Sequence, residues 1–280
     1  MMMKHLVFVM LVWIVPLFLP FGAAAAEKKV YTLSVVPQVS AVQIYGAWNP
    51  FIKKLSQEVG VEIHLRAYST IPEFEVELLK GAPDIVYMNP YHQVMAYDAQ
   101  GYIPLVRDKK DLVGILVARK DSGLGSVKDL DGKEISFPAP NAFAASLYMR
   151  ALLKEKENIT IKPLYVNNHT NVYLGVLSKQ TAAGGGVRKT FGEMQDNLKD
   201  QLAVVYETPG SASHPLSIHP RVPAEVREKI VKALLRLAGD RTNEELFKEI
   251  QMPAPVQANY DKDYLPLKKL GLGKYVVLSK

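Results

Sequence analysis

The feature that most constrains this chain is its punctuation. From Tyr31 onward, short runs of β-forming residues alternate with helical stretches, and glycine or proline stands at most of the boundaries. Residues 31–36 are rich in β-formers and stop at Pro37. Helical periodicity over 48–59 ends at Gly60, a residue suited to the left-handed turn that closes a helix. Residues 61–67 alternate apolar and polar side chains, as a half-buried strand does. Pro72 opens a helix that Gly81 ends, 84–88 is a strand, and Pro90 opens a helix that ends at Gly101. Strands are expected at 103–107 and 113–119.

A second series follows. Residues 135–137 form a strand ending at Pro138, and 141–156 a helix with Ala, Leu and Met on its apolar face. A strand is expected at 161–166, a helix at 170–178, a glycine turn at Gly184-Gly185-Gly186 and a helix over 189–198. One more strand at 203–206 precedes helices near 224–237 and 243–250, and 251–280 reads as a wrapping tail. This alternation predicts an α/β fold with mostly parallel sheets and helices on both faces. The two series predict two lobes: 27–111 with 207–280, interrupted by 112–206. A length of 280 residues suits two domains.

The first residues read differently. Lys4 and His5 precede an apolar run from Leu6 to Phe21, broken by Pro16 and Pro20, and Ala23 to Ala26 supply small residues for cleavage. That is the pattern of a secretory signal over 1–26, so a periplasmic destination is expected. The chain has no cysteine, which excludes disulfides, thiolate metal sites and a lipid-anchored cysteine. Its formal net charge of +6 is scattered rather than striped, which suits an anionic ligand and argues against nucleic acid.

In open α/β sheets ligands bind beyond the carboxyl ends of strands, where helix N-termini point free N–H groups outward. The residues at those places are Gln38, Asn89 and Tyr91, with Tyr45 a turn further on, in the first lobe. In the second they are Asn141, Ala142, Phe143, His169 and Arg188. Asn141 is a good helix cap, small residues after it admit a ligand to the backbone, and Arg188 offers a planar cation for an oxyanion. His214 and His219 lie in proline-containing loop sequence and read as structural. No phosphate-binding loop, zinc-binding His-Glu-x-x-His helix, G-x-S-x-G elbow or dinucleotide fingerprint is present, so neither enzyme nor cofactor is expected.

Four segments together resemble a known family. They are Val35-Val36-Pro37-Gln38, Asp84 to His92, Phe137 to Ser146 and Gly184 to Phe191. Their order and content are similar to the phosphate/phosphite/phosphonate-type (PhnD-like) periplasmic binding proteins of ABC importers. The resemblance implies a type II two-lobe fold with two crossovers and a ligand cleft between the lobes. It implies a monomeric receptor that delivers its ligand to a permease, or docks on a sensor kinase in some systems. His169 matches the family's histidine in the second loop of lobe two. Two departures stand beside it. Phosphonate binders carry a Ser-Thr-Ser cluster at the N-terminus of the first lobe-two helix, where this chain reads Asn141-Ala142-Phe143-Ala144-Ala145-Ser146 and lacks most of the hydroxyls, and often an acidic residue where it has Thr181-Ala182-Ala183. The expected ligand is therefore a small oxyanion held largely by backbone N–H groups, with a non-anionic small molecule as the alternative.

Overall fold

In the computed structural model the described residues are 29–277. The expected export signal at 1–26 lies outside them. The elements run β1 (Val30–Val35), α1 (Ala41–Val59), β2 (Glu62–Arg66), α2 (Ile71–Leu79), β3 (Ile85–Tyr87), α3 (Pro90–Gln100) and β4 (Ile103–Asp108). They continue with β5 (Gly114–Arg119), β6 (Glu134–Phe137), α4 (Tyr148–Glu155), β7 (Lys162–Tyr165), α5 (His169–Leu177) and β8 (Ala183–Val187). Short helices α6 (Arg188–Gly192) and α7 (Asp196–Lys199) lead to β9 (Leu202–Glu207) and β10 (Pro215–Ile218). Helices α8 (Ala224–Gly239) and α9 (Glu244–Glu249) and strand β11 (Pro255–Gln257) complete the regular structure.

The strands form two sheets, ordered β11-β4-β10-β3-β1-β2 and β7-β6-β8-β5-β9. The chain passes from the first sheet to the second between β4 and β5 and returns between β9 and β10. A backbone bridge, Leu112 with Ser211, holds the two passing segments together. Each sheet is mixed rather than mostly parallel. Strand β10 runs antiparallel to β3 and β4, β11 antiparallel to β4, and β5 antiparallel to β8 and β9. β5 and β10 enter their sheets as the chain changes sheets, with no helix between them and the preceding strand, while β11 follows α8 and α9 and runs in the same direction as β10.

Helix α1 begins seven residues before the expected start. Ser40 caps it and Gln43 reaches back in a capping box, and Pro50 sits inside without ending it. Its apolar face, Ile44, Trp48, Phe51, Ile52, Leu55 and Val59, recurs every three or four residues and packs on the first sheet and α9. Trp48 lies 5.0 Å from Tyr87, and Phe51 meets Phe247 edge-on at 5.5 Å. Gly60 and Gly101 end their helices with φ of 74° and 72°, as their positions predict.

The glycine run is the largest departure from expectation. Gly184, Gly185 and Gly186 are not a turn; they lie in β8, an inner strand of the second sheet, fully buried. A helical run opens with the π-turn Phe143–Leu147 and continues into α4, resting on this strand. A Cβ on Gly185 would stand 2.2 Å from the Ala145 carbonyl oxygen, and one on Gly114 of β5 would stand 2.1 Å from that of Ala144. Glycine is needed here for close approach of helix to sheet, and none of these three glycines of β8 has a positive φ.

The tail joins both units. On the first, Arg107 pairs with Asp263 at 3.1 Å and Lys268 with Asp98 at 2.6 Å. On the second, Lys274 pairs with Glu155 at 2.7 Å and Arg150 donates to the Tyr275 carbonyl at 2.9 Å. Two 3-10 turns carry three of these anchors: Leu265–Leu270 holds Lys268, and Leu272–Tyr275 holds Lys274 and Tyr275.

Candidate functional site

Two adjoining cavities lie where the units meet. The smaller, about 10 Å3, is bounded by Gln38 and Asn89 from the first unit, by residues 142–145 and His169 from the second, and by Leu112 and His214. The larger, about 230 Å3, shares Gln38, Leu112, Val187 and His214 and extends past Tyr87, Asp108, Arg188 and Lys189 to Gln251 and Pro253.

Helix ends and strand ends bring these groups together. Asn89 caps α3, its Oδ1 accepting from His92 N at 2.8 Å, while its Nδ2 donates across the cleft to the Asn141 carbonyl at 3.0 Å. Asn167, with φ of 75°, turns the chain between β7 and α5, and Asn168 then caps α5. This puts His169 N on the Gln38 carbonyl at 3.3 Å, a second bond across the cleft. The backbone N–H groups of Phe143, Ala144 and Ala145 open the helical run and meet no acceptor among the described residues. Phe143 stacks between Tyr91 at 6.4 Å and Tyr148 at 5.7 Å, so one aromatic column spans the two units.

The nine residues expected at the site are dispersed. Gln38, Asn89, Ala142, Phe143 and His169 line the smaller cavity. Gln38 also lines the larger, as does Arg188, whose guanidinium is paired with Glu207. Tyr45 is exposed on α1 and lines neither; Tyr91 is buried behind Phe143. Asn141 is 1% exposed, and its amide is fully used. Its Nδ2 donates to Glu75 Oε2 at 2.9 Å and to the Val277 carbonyl at 2.7 Å, and its Oδ1 accepts from Val277 N at 3.0 Å.

Glu75 was not anticipated. Its spacing with Glu73 and Glu77 on α2 reads as a row of surface charges, yet it is 5% exposed. Its Oε1 accepts from His92 Nε2 at 2.7 Å while Oε2 accepts from Asn141. Both oxygens therefore receive buried donors, one from each unit. Glu75→Gln replaces one acceptor by a donor that faces a donor, and it is expected to lower unfolding stability by about 2 kcal/mol. Urea unfolding of the variant checks this; an unchanged midpoint removes Glu75 from the cross-cleft network.

Lys189 was not singled out in the sequence, and His214, expected to be structural, lines both cavities. Lys189 directly follows Arg188, whose guanidinium is the more obvious anion partner, and only tertiary packing shows which of the two is half-buried. Its Nζ donates to the Gln251 carbonyl. Burial holds its amine down at about 8, with Lys110 acting in the same direction and Asp108 and Glu193 opposing. His214 stacks on Tyr87 at 5.5 Å, and burial, then Lys189, His92 and His169, push its imidazole well below the usual range. Burial alone lowers His169 to about 4. Both imidazoles are therefore neutral at pH 7, and with Arg188 paired to Glu207 the cavity's positive charge comes from half-buried Lys189 and exposed Lys110.

Among the described residues no group of His, Asp and Glu has the arrangement of a metal site, and no helix is long and apolar enough to cross a membrane. The fold matches solved binding proteins. A binding-protein component of an ABC phosphonate transporter from Pseudomonas aeruginosa superposes with a TM-score of 0.80 at 17% identity, covering 88% of this chain and 86% of that one. The PhnD1 protein of Prochlorococcus marinus, solved with methylphosphonate, gives 0.78 at 16% identity over 87% and 97%. A Xanthomonas citri protein solved with ATP gives 0.70 at 14% identity over 88% and 98%. At these identities the likeness establishes the two-lobe α/β periplasmic-binding-protein fold. The family model for the periplasmic phosphonate substrate-binding protein of ABC transporters matches residues 33–264, and the chain belongs to that family.

Proposed function

We propose that this chain is an exported receptor that captures a small anion between its two lobes and delivers it to an ABC permease. The lobes are 27–111 with 207–280, and 112–206; the assignment of the strands to two sheets supports that division. The observation that carries the reading is the composition of the cleft. Its walls come from both units, its floor from the two passing segments, and it holds a half-buried lysine beside neutral imidazoles. Such a cleft closes by bending at the passing segments. The bonds from Asn89 to Asn141 and from His169 to Gln38 are those of a closed form. The methylphosphonate and ATP of the two solved relatives are both phosphorus oxyanions, which supports the anionic class. Family membership as a binding component supports a receptor that returns its ligand unchanged rather than an enzyme.

A thermal-shift panel on protein refolded from denaturant tests the class. Phosphate, phosphite, methylphosphonate, sulfate and arsenate are compared with uncharged and cationic amino acids. A true ligand at about 100 times its Kd adds about 2.7 kcal/mol and raises the midpoint by several degrees. A shift produced only by an uncharged or cationic compound would sink the anion reading.

A further inference from the structure

We infer that the larger cavity takes an organic anion with a bulky apolar body, its head on Lys189 and its body against Tyr87, Leu112, Val113, Val187 and Pro253. This rests on the anion-receptor reading and narrows it. Three observations carry it.

The first is size. A cavity of about 150 Å3 lined by apolar side chains accepts benzene. The space here is about 230 Å3, far beyond what the five heavy atoms of a bare tetrahedral oxyanion fill. The smaller cavity, about 10 Å3, has room for little more than one atom or a water and cannot hold such an anion in this closed form.

The second is that the buried carboxylate of the wall and several of its polar neighbours are already engaged. Asp108 accepts from Lys110 N at 2.7 Å and from Ala254 N at 3.0 Å, and Ser213 Oγ donates to the Asp108 carbonyl at 2.7 Å. Gln251 donates its amide to Glu193, and Arg188 is paired with Glu207. The one other carboxylate of the wall, Asp111, is exposed to solvent, so no buried carboxylate is left to hold an ammonium group on the ligand, and an apolar body meets Tyr87, the two valines, Leu112 and Pro253.

The third is the position of Lys189. Of its three N–H donors one goes to the Gln251 carbonyl, a neutral acceptor, and no carboxylate pairs with it among the described ion pairs. The titratable and charged groups around it are Asp108 at the end of β4, Lys110 and Asp111 just after it, Arg188 at the start of α6, Glu193 after α6 and His214 before β10. An anionic head supplies the directly paired countercharge that Lys189 lacks among the described ion pairs. Because the free amine is held at about 8, binding above that pH takes up a proton.

The test is calorimetric titration with phenylphosphonate and methylphosphonate, which share a head and differ in bulk. Phenylphosphonate is expected to bind at least tenfold more tightly. Its affinity is expected to fall about tenfold per pH unit above 8, where both ligands are fully ionised. Lys189→Met is expected to lose about 100-fold in affinity and its pH dependence above 8, with its unfolding midpoint confirming a folded protein. Lys189→Arg restores affinity without restoring the pH dependence, since a guanidinium does not titrate there. Equal or tighter binding of methylphosphonate overturns the inference and leaves the anion receptor standing. Binding of neither phosphonate, with binding of benzyl alcohol, overturns both. Unchanged affinity in Lys189→Met removes the lysine from the site.

Discussion

Gly185→Ala is expected to lower unfolding stability by about 3 kcal/mol, at the upper end of overpacking effects. The new methyl would sit 2.2 Å from the Ala145 carbonyl oxygen and 2.4 Å from Phe137 Cδ1. Neither neighbour has room to move. Gly185 is paired with Leu116 in an inner strand, and Ala145 lies in the π-turn packed on it. The helical run would have to lift off the sheet, which would also displace Phe143 from its aromatic column. For a chain of this size such a loss lowers the melting midpoint by about 6–12 °C. Gly46→Ala is the matched control. Gly46 lies on the exposed side of α1 with nothing within 4 Å of an added Cβ, so the change should stabilise by about 0.5–1 kcal/mol. Differential calorimetry of the two variants decides the matter. Equal midpoints would mean that the helix does not rest on β8.

The second large effect is on acid stability. His169 is 2% exposed and its Nδ1 has no partner among the described residues, so burial holds the imidazole neutral, at about 4. In the unfolded chain the same group titrates near about 6.5. Between those values the unfolded state binds a proton that the folded state does not, so stability falls as pH falls. The contribution is complete above about 6.5 and is lost as pH drops to about 4, amounting to about 3 kcal/mol. His214, displaced in the same direction, adds to the slope. Urea unfolding of the wild type and His169→Gln at pH 7, 5.5 and 4 separates this from carboxylate titration. The variant should start less stable but lose less on acidification; parallel pH profiles would mean that His169 is charged in the folded protein.

Most strands and helices were legible because their boundary signals are local. Pro72, Pro90, Gly60 and Gly101 act on their own neighbours, and the observed elements begin or end at them within a residue or so. The failures share a cause. Gly184 to Gly186 carries turn chemistry in any sequence window, and only the helix lying on β8 shows why side chains are excluded there. β10 begins at Pro215 and β11 at Pro255, residues that argue for loops until the strands they join are known. The start of α1 was available in Ser40 and Gln43, but Pro50 obscured it.

For the site, the rule of strand ends points to the region where the two units meet. It led to Gln38, Asn89, Ala142, Phe143 and His169, which line the smaller cavity. It did not show how each side chain is spent. Asn141 looks like a ligand group in sequence, yet its amide is saturated by Glu75 and by a residue 136 positions away. Lys189 looks like a surface charge, and its burial is set by Gln251 and Pro253 of a tail that sequence alone could not dock.

That tail also sets how far the protein can open. Its anchors grip different lobes, at Asp263 and Lys268 on one side and at Lys274, Tyr275 and Val277 on the other. Five residues, 269–273, lie between the innermost anchors, in the two 3-10 turns and the glycine that joins them. A 3-10 turn rises about 2.0 Å per residue and an extended chain about 3.3 Å, so unwinding them releases roughly 6 Å of slack. Cleft opening within that stroke stretches the leash and leaves both sets of anchors seated. A wider gape must first unzip the Val277 backbone from the Asn141 amide, which frees the side chain that faces Glu75. Stroke length and cross-cleft adhesion are thus coupled through one asparagine.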